Sequence, residues 1–284
     1  MRGNKPEKQH LLFHTGRFQP FGLKLNSTTS GFQDFFYIYR GFGPVVMNKM
    51  QKKSIEEERP EQEDISSEIM KRRFVPSIFK STSWESFQFA GWKIKITETT
   101  DCYGAYVWPS AIVLCYYLEH SQKEIMDKNV IELGSGTGLV SIVASILGSK
   151  VTATDLPHLL DNLHYNINQN TKMRSKYLPQ VQELKWGIDL DKRFPRSTCH
   201  YDYVMAADVV YSHPYLNELL MTFDHLCQDD TIILWTMKFR FDRDNAFVET
   251  FQRIFDTVII YDLPSLQIKL YKATRKNTEL RRET

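Results

Sequence analysis

The sequence predicts an α/β fold in which seven strands form one mostly parallel sheet, with helices on both faces and an antiparallel hairpin to close it. Three observations lead there. From Asn129 onward, short strand-like apolar runs alternate with stretches of helical period, the order of a parallel sheet whose crossovers are helices. The first of these runs, 129–133, stops in a glycine-rich turn and passes straight into helical spacing. The last two runs, 257–261 and 266–271, leave no room for a helix between them and must pair antiparallel.

Each element has a local reason. Residues 1–46 mix basic, aromatic and glycine residues without a sustained period, and residues 47–70 carry a charged run from Lys52 to Asp64 with no apolar face. Such a composition does not offset its ordering entropy. Residues 1–70 are therefore expected to be a loose N-terminal extension, with Met47 and Met50 marking an alternative start. The folded domain is expected over 71–274 and a charged, frayed tail over 275–284. An N-terminal β-hairpin is expected from Ser86-Phe-Gln-Phe89 and Trp92-Lys-Ile-Lys-Ile96 about Ala90-Gly91, since both runs alternate apolar and polar residues. Pro109 suits the first position of a helix running to about His120. Strand one (129–133) leads to a helix (138–147), strand two (150–154) and a helix from about Pro157 to Asn168. Strand three is expected at 182–186 and strand four at 203–206. A helix near 214–226, the strong apolar strand 231–235 and a helix near 245–254 precede the closing hairpin, whose loop holds Pro264.

The chemistry gathers at the end of strand one. Gly134, Gly136 and Gly138 stand at alternate positions, where the missing Cβ lets the backbone turn and a ligand come close. The helix that follows points free N–H groups at that place. Seventeen residues on, strand two ends in Asp155, an acid placed to hold ribose hydroxyls. The pair implies a nucleoside-containing cofactor; the plainer alternative is a strand–turn–helix that needs glycine only to turn. A dinucleotide site has G-x-G-x-x-G, whereas here the third glycine falls one residue early and Glu132 stands two residues before the first. An acid at that mouth repels a pyrophosphate and suits a ligand with an ammonium and a sulfonium. Acid-x-G-x-G-x-G, then an acid after the next strand, resembles the signature of class I S-adenosylmethionine-dependent methyltransferases. The resemblance implies a Rossmann-like sheet with S-adenosyl-L-methionine as cofactor.

Ligands of such sheets lie at the carboxyl ends of the strands, so strand four, ending Ala206-Ala-Asp-Val-Val-Tyr211, would set Asp208 and Tyr211 beside the methyl donor. An amine acceptor must lose its proton before it attacks, and a carboxylate can orient it or carry that proton away. Asp208 either does this or caps the next segment; Tyr211 either walls the channel or packs. Trp186, at the end of strand three, and Trp108, before the helix at Pro109, could flank the cofactor's rings or belong to the core. The basic residues of Lys238-Phe-Arg-Phe-Asp-Arg-Asp-Asn245 suit either a substrate rim or a solvated face.

Composition narrows the alternatives. The chain has 284 residues, 42% hydrophobic and 25% charged, enough for one large domain with an extension. Its four cysteines include no C-x-x-C pair and no metal-ligand spacing, which favours a reducing compartment and no zinc site. His14 and Arg17 interrupt the only early apolar stretch, against a secretory signal. The uncharged run 102–118 contains Pro109 and several tyrosines and falls short of the roughly 20 apolar residues of a membrane span. Residues 1–83 hold 14 Lys and Arg against 9 Asp and Glu, leaving 22 against 25 for the rest. A mildly acidic domain is a poor match for nucleic acid.

Taken together, these motifs resemble the methyltransferase-like family of seven-β-strand protein-lysine methyltransferases. The marks are Val107-Trp-Pro-Ser-Ala111, Val130-Ile-Glu-Leu-Gly-Ser-Gly-Thr-Gly-Leu139, Thr152-Ala-Thr-Asp155, Leu184-Lys-Trp-Gly187 and Ala207-Asp-Val-Val-Tyr211. The family pattern implies cofactor contacts from Trp108, Gly134, Ser135, Gly136, Asp155, Trp186 and Ala207, beside the Glu132 read from its position. It implies contacts to the substrate lysine from Asp208 and Tyr211. Enzymes acting on adenine or glutamine amides usually carry N-P-P-Y where this chain has D-V-V-Y. Within the family the chain looks most like the branch acting on heat-shock chaperones and the valosin-containing AAA ATPase, which implies a protein substrate of that kind and a monomer in the cytoplasm, with the nucleus also open. A nucleic-acid or small-molecule methyltransferase, a nicotinamide oxidoreductase and a catalytically silent cofactor-fold binding protein are the alternatives.

Overall fold

The computed structural model describes residues 60–74, 84–98 and 103–276. The expectations for residues 1–59 and 277–284 lie outside them.

The first described element corrects an expectation. Within the stretch expected to be loose, Pro60–Lys71 forms a helix, α1. Its apolar stripe is only Ile65 and Ile69, one helical turn apart, and Ile69 is fully buried. Polar contacts complete the docking. The Tyr116 hydroxyl donates to Glu68 Oε2 at 2.9 Å, and Arg72 bridges Glu68 (3.1 Å) and Glu119 (2.9 Å). A charged surface thus hides a two-residue apolar anchor.

Arg73–Phe74 (β1), Trp84–Phe89 (β2) and Trp92–Thr97 (β3) form a small antiparallel sheet, as the alternation predicts for the hairpin. Phe89 pairs with Trp92 across a two-residue turn in which Ala90 and Gly91 both have positive φ, 51° and 73°, the backbone twist that a tight hairpin needs. Phe87, Phe89, Ile94 and Ile96 all face inward and are fully buried. Then come Pro109–His120 (α2), Gln122–Ile125 (α3), Asn129–Leu133 (β4), Leu139–Ile146 (α4), Lys150–Asp155 (β5) and Leu160–Thr171 (α5). Gln180–Glu183 (β6), Leu190–Arg193 (α6), Tyr203–Ala207 (β7), Leu216–Leu226 (α7), Ile232–Lys238 (β8), Asp242–Ile254 (α8), Phe255–Leu263 (β9) and Ile268–Arg275 (β10) complete the fold.

Seven strands make the main sheet in the order β6-β5-β4-β7-β8-β10-β9. β4, β5, β6, β7 and β8 run parallel, and β10 is antiparallel to both of its neighbours. The chain moves outward from β4 to β6 and then restarts on the other side of β4 with β7. That reversal opens a crevice at the carboxyl ends of β4 and β7, where open α/β sheets hold their ligands. The strands are buried on both faces. Val130 and Leu234 belong to the core layer beneath the hairpin, α2, α4 and α5, and Ile131 and Trp235 to the layer beneath α7 and α8.

β6 ends at Glu183, three residues short of the expected limit; its last ladder bond runs from the Leu184 N–H to the Asp155 carbonyl at 3.0 Å, and Asp155 is the last residue of its partner strand. Trp186 consequently lies in the loop beyond the strand, next to Gly187, whose φ is 73°. The hairpin is tied to α5 by asparagines one turn apart. Asn166 accepts from the Thr97 N–H and donates to the carbonyls of Thr97 and Thr137, and Asn170 pairs with both backbone groups of Lys95. These bonds satisfy the outer edge of β3.

Candidate active site

The glycine turn after β4 is built as a cradle. Gly134, Gly136 and Gly138 all have left-handed φ, 64°, 54° and 88°, a region costly for a residue with a Cβ. Space forbids side chains there as well. A Cβ on Gly136 would come within 2.8 Å of the Gly104 carbonyl oxygen, and one on Gly134 would meet Val209 at 3.0 Å and Trp186 at 3.3 Å. Gly138 donates its N–H to Ser135 O at 2.8 Å and leads directly into α4.

The acid at the end of β5 closes on this turn. Asp155 Oδ2 accepts from the Gly136 N–H at 2.7 Å, and Oδ1 accepts from the Leu156 N–H at 2.7 Å. Burial raises the carboxyl above its ordinary value, and the two N–H donations oppose that. Each carboxylate oxygen keeps a second lone pair for a hydroxyl donor. Ser135 locks the neighbouring strand tip: its N–H donates to Thr154 O at 2.9 Å, and its hydroxyl accepts from the Thr154 N–H at 3.1 Å.

Glu132 stands differently from the expectation of an acid at the mouth. It is 2% exposed, and its Oε2 accepts from the Ser141 hydroxyl on α4. Burial raises its pKa to about 7, with Asp155 adding to the rise and the Ser141 and Ser135 hydroxyls opposing it. Its carboxyl braces the cradle from beneath. A β4 side chain two residues before the turn points into the sheet-helix layer, which a spacing rule does not reveal.

The end of β7 carries the acceptor-side candidates. Ala207 pairs with Thr236, and its neighbour Asp208 has a φ of 60°. The Asp208 side chain is 1% exposed and makes a two-pronged ion pair with Arg240, Nη1 to Oδ1 at 2.9 Å and Nη2 to Oδ2 at 2.7 Å. The Lys238 N–H also donates to Oδ1 at 3.2 Å. The guanidinium carbon of Arg240 stands 5.3 Å from the centre of the Trp108 ring. Both Asp208 oxygens are thus held, Oδ1 by two donors and Oδ2 by one, and the role of proton carrier that its position suggests does not fit that arrangement.

Tyr211 is 43% exposed and meets the His213 ring edge-on at 4.5 Å. Burial, and secondarily the Asp155 carboxylate, push its phenol above its ordinary value, so it enters the site as a neutral hydroxyl. His213 was not foreseen. Its Nδ1 accepts from the Tyr215 N–H at 3.0 Å, so the proton sits on Nε2, which donates to Val209 O at 2.9 Å. Its ring also lies 5.3 Å from Trp186. It thus bridges the half-buried indole beside Gly134 and the tyrosine at the rim, and burial lowers its pKa. The residues alone mark Arg240 only as one cation in a stretch that reads better as a solvated face than as a substrate rim.

Most of the expected residues come together. Gly134, Gly136, Asp155 and Trp186 surround the crevice, Ser135 ties its floor, and Trp108, Asp208 and Tyr211 lie on the side toward β7 and β8; Glu132 is turned inward to Ser141. This set fits a nucleoside with a cationic tail. Only glycine, serine and threonine occupy 134–138, a buried acid stands where a ribose would be tethered, and Leu156 beside it is 40% exposed as an apolar face. Among the described residues no group of His, Cys, Asp and Glu is arranged to hold a metal ion.

Comparison with known proteins agrees. A family profile described as "Lysine methyltransferase" matches residues 89–254. The chain is 59% identical over 236 residues to the mouse (Mus musculus) protein-lysine methyltransferase METTL21E, covering 82% of this chain and 97% of that one. It is 36% identical over 219 residues to EEF1A lysine methyltransferase 3 of Xenopus tropicalis, covering 74% and 93%. Among solved structures, the 16S rRNA N2 G1207 methyltransferase RsmC of T. thermophilus, in complex with AdoMet and guanosine, superposes with a TM-score of 0.51 at 14% identity. That match covers 71% of this chain and 52% of the other and speaks to the fold alone.

Proposed function

The chain belongs to the lysine methyltransferase family, as an S-adenosylmethionine-dependent protein-lysine N-methyltransferase, and we propose that its acceptor is a lysine of a heat-shock chaperone or an AAA ATPase. The finer assignment rests on analogy with the branch of the family that the chain most resembles, whose members act on such proteins. It is also proposed to work as a monomer in the cytoplasm, with the nucleus open to it. No described helix is long and apolar enough to cross a membrane.

The observation that carries the reading is the contact between the two halves of the site. Val209, the residue after Asp208, packs against Gly134 of the cradle, so the acceptor motif lies against the start of the cofactor turn. Gly134 and Gly136 would admit the cofactor's backbone-side edge, Asp155 would hold its ribose, and Trp186 and Leu156 would flank its base. Trp108 and Ala207 would close the other side. When bound, S-adenosylmethionine would supply a methyl carbon on a sulfonium, open to attack by a neutral amine as the sulfur leaves as a thioether. The chain's task is then to admit the amine without its proton and to hold it in line. Tyr211 offers a neutral hydroxyl to orient the nitrogen. Asp208, with both oxygens bonded to Arg240, supplies a fixed wall, and the amine's proton leaves to water.

The test is incubation of the full chain with radiolabelled S-adenosylmethionine and a cell extract, followed by identification of the labelled residue. Label on the ε-nitrogen of a lysine in a chaperone or AAA ATPase supports the whole reading. Label on a lysine of another protein, an elongation factor for instance, removes the substrate assignment alone. Label on nucleic acid or on another side chain overturns the lysine assignment.

A further inference from the structure

We propose that Arg240 is a positioning residue of this site, holding Asp208 and Trp108 in the places from which they act. The reaction it would serve rests on the reading above; the contacts that argue for it do not.

Arg240 lies in the turn between β8 and α8, and its guanidinium reaches in several directions. It grips both oxygens of Asp208 at 2.9 and 2.7 Å, donates to Lys238 O at 3.2 Å, and spreads 5.3 Å from the Trp108 ring. Its own N–H donates to Asp244 Oδ2 at 2.8 Å, which anchors the turn on the start of α8. One side chain therefore joins the tip of β7, the entry to α2 and the exit of β8. These segments meet only at the carboxyl edge of the sheet.

The chemistry asks for arginine. A planar guanidinium can fork a carboxylate and lie on an aromatic face at once, which an ammonium cannot. The side chains are 11% and 1% exposed, so water screens the pair weakly. Two effects on the site follow. The indole of Trp108 is held at the cofactor's edge by a cation that is itself immobilised. An arriving lysine meets Arg240 and the half-buried Lys238 ammonium in place of an open carboxylate, and nearby positive charge favours the neutral amine. Lys238 is itself pushed below its ordinary value, by burial first and by Arg240 second.

The test compares wild type, R240Q, D208N, the double variant and R240K for binding of S-adenosylhomocysteine by calorimetry, with thermal unfolding of each. If Arg240 and Asp208 act as one unit on Trp108, each single loses affinity on the order of tenfold, the double loses no more than the weaker single, and R240K falls between wild type and R240Q. A folded R240Q with wild-type affinity, or losses that multiply in the double, overturns the proposal. Should R240Q not fold, R240K decides: a loss of about threefold or more supports the role, and wild-type affinity overturns it. In the labelled-extract reaction, the rate at saturating methyl donor should fall by a larger factor than KM for the donor rises in R240Q and recover partly in R240K, which a purely structural role would not produce. Wild type that binds S-adenosylhomocysteine but labels no lysine would defeat the proposed function while the binding comparison still judges Arg240.

Discussion

Replacing Asp208 by alanine tests the site most sharply, because position along the chain and tertiary contact predict different outcomes. Read by position, the variant keeps its fold and its cofactor and loses only methyl transfer. The structure adds a stability penalty. Truncation strands the Arg240 guanidinium, 11% exposed, without the carboxylate that both of its terminal nitrogens grip, and removes the acceptor of the Lys238 N–H. Breaking a buried pair from one side costs about 3–5 kcal/mol. Alanine must also hold the left-handed backbone of Asp208, φ 60°, at about 1 kcal/mol more. In a domain of about 200 residues, where each kcal/mol moves Tm by about 2–4 °C, the variant should melt roughly 8–24 °C below wild type. Urea unfolding followed by tryptophan fluorescence measures the loss directly. Asp208→Ala combined with Arg240→Met should regain most of it, since the guanidinium that lost its carboxylate is then gone as well. An Asp208→Ala protein within about 1 kcal/mol of wild type, or a double variant less stable than the single, would refute the reasoning.

Four further outcomes follow from other parts of the fold. Glu132 has its pKa raised to about 7 from 4.5, so the stability of its protonated form is fully present below about pH 4.5 and is lost as pH rises through about 7. Glu132→Gln should accordingly gain on wild type by roughly 1–3 kcal/mol between pH 4.5 and pH 8, and denaturation at both pH values would reveal a flat difference if the carboxyl titrated normally. Asn166→Ala removes the partner of the Thr97 N–H and of the buried bond to the Thr137 carbonyl, and leaves the Thr97 carbonyl only Asn162 at 3.3 Å; it should cost about 2–4 kcal/mol, with faster hydrogen exchange at the Thr97 amide as its local sign. Removing residues up to Arg72 deletes α1 with its fully buried Ile69 and should lower stability by roughly 2–4 kcal/mol, whereas a freely loose extension would leave chemical denaturation unchanged. Gly136→Ala forces a Cβ to 2.8 Å from Gly104 O at a φ of 54°. It should abolish detectable S-adenosylmethionine binding at a stability cost of about 1–2 kcal/mol, and retained affinity in calorimetry would show that the cradle is looser than its geometry.

Some of this was legible in the residues alone, for a physical reason. Glycine at alternate positions, an acid one strand later, period-2 and period-3.6 runs and a helix-opening proline are local devices, and each states its backbone requirement within a few residues. The three left-handed glycines, the bond from the Gly136 N–H to Asp155, the hairpin turn at Ala90-Gly91 and α2 starting at Pro109 all lie where those devices point. The cofactor side of the site is made of backbone and of strand-end residues, so it was readable.

What the sequence by itself determined is therefore the sheet and the cradle in its crevice. Tertiary packing alone decided which charges meet. Arg240 and Asp208 are 32 residues apart, and nothing in either segment distinguishes a buried fork from a solvated cation and a free acid. Likewise Glu132 turns inward to Ser141, His213 links Trp186 to Tyr211, and Ile69 finds a pocket for an otherwise charged helix. A side chain's partner, its protonation and its exposure depend on what the rest of the fold brings within a few ångströms, and no spacing rule along the chain carries that distance.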